Sequence, residues 1–142
     1  MPSSARSALD RPSLPSFRTP LVGLPAYSMS DLTTGLTTAE GLAEHLDEVQ
    51  IVDCREPYEW QAGRIEGSIH IPLNSILAGA IGQLDEDKTT VVVCRSGSRS
   101  ELATLMLRAK GFEAYNLERG LEEWASEGRE LLTPEGRPGT VA

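Results

Sequence analysis

The feature that most restricts the fold is an apolar strand that runs into a polar loop and then a helix. Val91 to Val93 are three consecutive β-branched residues, Cys94 follows them, and residues 95–100 are small or basic. From Glu101 the apolar residues recur at helical spacing. This order predicts a buried strand, a tight turn and a helix packed back against the sheet.

Strand and helix patterns alternate through the rest of the chain. The predicted strands are 51–54, 68–71, 90–93 and 114–117. The predicted helices are 37–49, 56–62, 74–81, 98–110 and 120–127. Near-continuous apolar strands separated by helices are typical of parallel sheets that are covered on both faces. We therefore predict an α/β fold, an open parallel sheet of about five strands with helices on both faces.

Helix ends and faces follow from particular residues. A capping box from Thr37 to Glu40 predicts the start of the first helix, and Asn74 is the expected cap of the third. In the helix 98–110, we expect the core-facing side chains to be Leu102, Leu105, Met106 and Ala109.

The chain of 142 residues is long enough for one folded domain, which we place at residues 31–132. Residues 1–30 contain seven Ser and five Pro, a composition that predicts a flexible tail. A transit peptide, or an extension upstream of a start at Met29, also fits this segment. The glycines and proline at 136–139 predict a flexible C-terminal tail at 133–142.

The overall charge and the cysteine count limit the function classes. A net charge of −8 argues against nucleic acid or an anionic membrane as a partner. Two cysteines do not make a disulfide framework, which favours a reducing, cytoplasmic location. We expect no metal site, and in particular no zinc site, because the sequence has no CxxC pair and no Cys/His cluster.

The loop after the third strand carries the candidate chemistry. Cys94 lies above a predicted helix N-terminus, where unpaired amides and the helix dipole lower a thiol pKa, here by roughly one to two units. Gly97 lets the backbone approach a ligand, and Arg95 and Arg99 add positive charge. The alternative is that Cys94 is an ordinary buried cysteine at a strand end.

Three segments make the chain similar to the single-domain rhodaneses, a sulfurtransferase family. These are Asp53-Cys54-Arg55-Glu56-x-x-Glu59 with Gly67-Ser68-Ile69-His70-Ile71-Pro72, then residues 91–100, then Asn116-Leu117-x-x-Gly120-Leu121-x-x-Trp124. The resemblance covers residues 36–129. The chain departs from the family pattern at Arg64, Arg119 and Cys54.

The resemblance implies transfer of a sulfane sulfur through a persulfide on Cys94. The donor would be a small anion such as thiosulfate, and the acceptor a thiol or cyanide, with a sulfur-carrier protein as a further candidate. The residues expected to bind the substrate are Arg95, Ser96, Gly97, Ser98 and Arg99. No cofactor is implied.

Asp53 and Arg55 also fall at the carboxyl edge of the sheet, where ligands of parallel sheets bind. We expect them to support the rim of the site as an ion pair, with Glu59 as a further partner of Arg55. Cys54 is either a packing residue or a resolving thiol for a persulfide.

Two other functions compete with sulfur transfer. A cysteine-dependent phosphatase has five residues between its cysteine and arginine, whereas four residues separate Cys94 from Arg99. A non-catalytic regulatory or binding module would typically have lost the cysteine.

Overall fold

The computed structural model describes residues 35–142, which contain four short parallel strands. They are β1 Gln50–Asp53, β2 Ile69–His70, β3 Thr90–Val93 and β4 Ala114–Asn116. Their order in the sheet is β2-β1-β3-β4, and all three pairings are parallel. The predicted α/β fold is confirmed, with four strands in the described part where about five were expected.

Between residues 37 and 142, five α-helices connect and flank these strands. They are α1 Ala39–Ala43, α2 Pro57–Ala62, α3 Leu73–Leu77, α4 Ser98–Ala109 and α5 Gly120–Ser126. The order was predicted correctly, but two starts were not. Thr38, not Thr37, caps α1 by accepting the Gly41 amide at 3.1 Å. Pro72 precedes α3, so Asn74 lies inside that helix and does not cap it.

The first helix also ends earlier than predicted. After α1, a 3₁₀ turn at Leu46–Glu48 leads into β1. Every residue of the central strands β1 and β3 is buried, as expected for a sheet covered on both faces.

The buried face of α4 differs from the predicted one. Leu102 and Leu105 are 48% and 55% exposed, and Ala109 is also exposed, whereas Ala103 and Leu107 are completely buried. The cause is Ser100, which faces inward at the start of the helix. Positions three and seven residues later must then face inward too. Met106 is partly buried against the core, as expected.

The two central strands bring the site together. Asp53 pairs with Val93 at the carboxyl ends of β1 and β3, and the Cys54 amide continues the ladder by donating to the Val93 carbonyl at 3.0 Å. Cys54 and Cys94 therefore leave the sheet side by side.

The last residues are hydrogen-bonded to the rest of the chain. The Thr140 amide donates to the Ala62 carbonyl at 2.9 Å, and the Gly139 amide donates to Leu131 at 2.7 Å. These contacts involve the segment 133–142 that the sequence assigned to a flexible tail. The other predicted tail, 1–30, lies outside the described residues.

Between residues 35 and 142, no helix has the length and apolar character needed to cross a membrane. Within the same range, no group of three or more His, Cys, Asp or Glu side chains is arranged to hold a metal ion.

Candidate active site

Cys94 is the first residue after β3, and its sulfur lies beneath the loop that leads into α4. The amides of Gly97 and Ser100 donate to Sγ at 3.1 and 3.3 Å, and the Ser100 hydroxyl lies 3.2 Å from it. The side chain is completely buried. The sulfur thus occupies the place of an anion at a helix N-terminus, held by backbone donors.

These contacts determine the ionisation of the thiol. A hydrogen bond from Cys54 lowers the pKa of Cys94 most, burial raises it, and the donors of Ser100 and Gly97 lower it further. Together they bring the pKa from an ordinary 9.0 to about 4, a larger shift than the sequence suggested. Cys94 is therefore a thiolate at neutral pH.

The neighbouring thiol has the opposite character. Its hydrogen bond to Cys94, its burial and the nearby charges of Cys94 and Asp53 raise the pKa of Cys54. Cys54 therefore keeps its proton and can donate it toward the Cys94 thiolate.

The loop needs a left-handed residue and has room only for glycine there. Gly97 has φ of 101°, and a Cβ at this position would lie 2.0 Å from the Glu118 carbonyl oxygen. Gly120, on the facing turn, is confined in the same way by the Arg95 carbonyl. The two glycines let the loop and the start of α5 pack backbone to backbone.

Asn116, at the end of β4, is a contributor that the sequence analysis did not assign to the site. Its amide nitrogen donates to the Gly97 carbonyl at 3.0 Å, and its side-chain oxygen accepts from the Ser100 hydroxyl. One side chain thereby fixes both the loop and the hydroxyl that contacts Cys94. The only sequence signal for Asn116 was its place at the start of the third family segment, and a motif does not show which atoms its residues contact.

Both loop arginines form ion pairs, of different kinds. Arg99 makes two hydrogen bonds to Glu59, at 2.7 and 2.9 Å, and that carboxylate is 3% exposed. Arg95 meets Glu122 at 3.2 Å, with both side chains about half exposed. The Arg99 pair is fixed in the structure, whereas the Arg95 pair is open to solvent.

Asp53 and Arg55 form the ion pair that the sequence predicted. Both side chains are completely buried, and the shortest hydrogen bond between them is 2.7 Å. Arg55 also donates to the Gly63 carbonyl at 2.6 Å. Glu59 does not hydrogen-bond Arg55, contrary to our expectation, because Arg99 occupies both of its oxygens. Hydrogen bonding from Arg99 lowers the pKa of Glu59.

The remaining loop residues face away from the sulfur. Ser96 and Ser98 are exposed and line a cavity of about 500 Å³ on the outer side of the loop, together with Thr37, Glu101, Asn116 and Glu118. Cys94 does not line this cavity. Of the predicted site residues, the structure places Gly97 against the sulfur, and it adds Ser100 and Asn116.

The fold and this site define a class of protein, an α/β domain that holds an ionised cysteine at the carboxyl edge of a parallel sheet. A family model described as "Rhodanese-like domain" matches residues 38–127. The chain belongs to this family.

Named relatives and solved structures agree with this membership. The chain is 31% identical to a sulfurtransferase of Allochromatium vinosum, over 69% of this chain and 94% of that protein. It is 34% identical to the thiosulfate sulfurtransferase GlpE of Pseudomonas aeruginosa, over 69% and 89%. The crystal structure of a rhodanese-related protein from Thermoplasma volcanium superposes with a TM-score of 0.64 at 33% identity, over 67% and 94%.

Proposed function

We propose that the protein transfers a sulfane sulfur from a donor such as thiosulfate to a thiol or cyanide acceptor, through a persulfide on Cys94. The observation that carries the proposal is the Cys94 sulfur itself, which accepts the Gly97 and Ser100 amides and has a pKa of about 4. An ionised sulfur is a nucleophile without a separate base.

The reaction needs two displacements at sulfur. The Cys94 thiolate attacks the outer sulfur of thiosulfate, the sulfur–sulfur bond breaks, and sulfite leaves with its electron pair. An acceptor thiolate or cyanide then attacks the outer sulfur of the persulfide, and Cys94 leaves as a thiolate. The amides that stabilise the resting Cys94 thiolate also stabilise it as the leaving group of the second displacement.

The two arginines are suited to different tasks. An exposed ion pair such as that of Arg95 is worth little, so its guanidinium can exchange Glu122 for an incoming anion. Arg99 keeps its partner Glu59 and contributes a fixed positive charge beside the loop. We assign anion capture to Arg95 and loop support to Arg99, with the exposed Ser96 and Ser98 available to the donor.

The acceptor and the location follow from the same chemistry. A thiolate that must be regenerated at each turnover needs a reducing compartment, which favours the cytoplasm. The acceptor candidates are a low-molecular-weight thiol, cyanide and the thiol of a sulfur-carrier protein.

Purified protein treated with thiosulfate should gain the mass of one sulfur atom and then turn over when cyanide is added. Cys94→Ser, a near-isosteric variant, should abolish both the mass gain and the turnover. Arg95→Ala should raise KM for thiosulfate several-fold and change kcat less, whereas Arg119→Ala, a matched exposed arginine, should change neither.

The same assay separates the competing functions. Turnover of an aryl phosphate without turnover of thiosulfate would show a phosphatase instead. A protein that acquires no sulfur and hydrolyses no phosphate ester would be a non-catalytic module.

A further inference from the structure

We infer that Cys54 resolves the Cys94 persulfide when no acceptor is present, closing a Cys54–Cys94 disulfide and releasing hydrosulfide. This activity rests on the proposed function, because that function supplies the persulfide. It gives the domain a second outcome, sulfide release with self-oxidation, in place of sulfur transfer.

The backbone places the two cysteines side by side. Asp53 and Val93 are partners in adjacent parallel strands, and Cys54 and Cys94 are the next residue of each. Neighbouring strands lie about 4.8 Å apart, inside the Cα separation of about 4.4–6.8 Å that disulfides span. The spacing of the two strands is therefore compatible with a disulfide between the two cysteines.

Both side chains also point to the same face of the sheet. Side chains alternate along a strand, so Val52 and Cys54 share a face, as do Val92 and Cys94. All four belong to one buried cluster, and both cysteines are free and completely buried. The two thiols are also near enough for each to shift the pKa of the other.

The surroundings separate the attacking thiol from the leaving sulfur. The amides of Gly97 and Ser100 contact Cys94 from the loop and from α4, whereas Cys54 approaches from β1. An outer sulfur on Cys94 extends toward the amides, so the inner sulfur stays accessible to Cys54.

The step balances without an added oxidant. The Cys54 sulfur attacks Sγ of Cys94, and a bond forms between them as the bond from Sγ to the outer sulfur breaks. The outer sulfur leaves with that electron pair and the proton of Cys54, as hydrosulfide. The sulfane sulfur is reduced by two electrons, and the two cysteines end as a disulfide, which an external dithiol reduces.

Resolution should be slower than transfer to an acceptor. Burial and the neighbouring anion keep Cys54 protonated, and a protonated thiol is a weak nucleophile. The disulfide is therefore the expected product only when no acceptor removes the outer sulfur of the persulfide.

The first test uses full-length protein and thiosulfate, without oxygen, acceptor or reductant. Wild type should release one hydrosulfide per chain and lose two hydrogen atoms in mass, with a peptide containing Cys54 linked to one containing Cys94. Cys54→Ser, which keeps a hydrogen-bond donor, and Cys54→Val, which keeps the packing, should both retain the persulfide. A wild type that holds its persulfide as long as these variants overturns the inference.

A second arm does not depend on sulfur transfer. An aromatic disulfide reagent places an aryl thiol on Cys94, and Cys54 should displace it, so that wild type releases two aryl thiols per chain and Cys54→Ser releases one. If thiosulfate loads no variant, the proposed function fails, and this arm still decides the inference. A wild type without the linked peptide after this treatment contradicts it.

Discussion

At the scale of single residues, the chemistry depends on which of two adjacent thiols carries the negative charge. Cys94 receives two amides, whereas its interaction with Cys94, burial and the neighbouring charge of Asp53 raise the pKa of Cys54. The charge therefore belongs to Cys94. The sequence predicted this residue because a polar, basic loop after a strand is unusual for a packing cysteine. It did not predict that Cys54 lowers the pKa of Cys94, because the adjacency of the two strands depends on the tertiary fold.

Alkylation of Cys94 should be almost independent of pH near neutrality. Because the pKa is about 4, the thiolate fraction is constant from about pH 6 to 8 and falls only in acid. Peptide mapping after iodoacetamide treatment measures the rate at this residue, and Cys54→Val should move the profile upward in pH because Cys54 is the largest cause of the lowered pKa. A rate that climbs steadily from pH 7 to 9 would contradict the assignment.

Replacing Arg55 should reduce stability more than it reduces sulfur transfer. Arg55→Ala leaves the buried Asp53 carboxylate unpaired, at a cost of about 3–5 kcal/mol in the free energy of unfolding. Arg95→Ala, which breaks a half-exposed pair, should cost less than about 1 kcal/mol. Urea denaturation and turnover per folded molecule check this. An unchanged denaturation midpoint with abolished transfer would make Arg55 a catalytic residue instead.

At the scale of elements, the loop between β3 and α4 determines the orientation of the helix that follows it. Ser100 must face Cys94, and this requirement turns Leu102 and Leu105 outward although they are apolar. Apolar periodicity alone could not predict this, because it assumes that burial is the only demand on the helix. The Glu59–Arg99 pair was missed for a related reason. It joins α2 to α4 across forty positions of sequence.

Gly97→Ala should lower the stability and the rate of persulfide formation far more than Gly111→Ala. Both glycines have φ near 100°, but an added Cβ meets the Glu118 carbonyl at 2.0 Å in the first case and nothing within 4 Å in the second. Gly111→Ala should cost about 1 kcal/mol, the ordinary cost of the left-handed conformation. Gly97→Ala should cost more and slow persulfide formation at least tenfold. Equal effects of the two substitutions on loading would contradict this account of the loop.

At the scale of the whole molecule, the positions of the strands along the chain and the edge of the sheet that carries the site were predictable. The central strands β1 and β3 contain short apolar runs, and parallel strands have their carboxyl ends at the same edge of the sheet. The packing of residues 139 and 140 near the end of α2 was not predictable. A glycine-rich segment has no sequence pattern that shows which part of the chain it will contact.

Removing residues 138–142 should lower the free energy of unfolding by about 2 kcal/mol, because two backbone hydrogen bonds to the body are lost. Deletion of residues 1–28, which the sequence assigned to a tail, is the comparison and should change stability by less than about 0.5 kcal/mol. Thermal unfolding of the two truncated proteins measures both. A C-terminal deletion without effect would support the flexible-tail assignment instead.

The close packing of the loop against the start of α5 constrains how this site can evolve. The Leu121 and Glu122 amides hold the Cys94 and Arg95 carbonyls at 2.9 and 3.0 Å, and Gly120 leaves no space between the two segments. A single inserted codon in the loop would push the added backbone into this contact. We therefore expect a longer loop to need a compensating change at the start of α5, so that the length of the loop and the residue at position 120 change together.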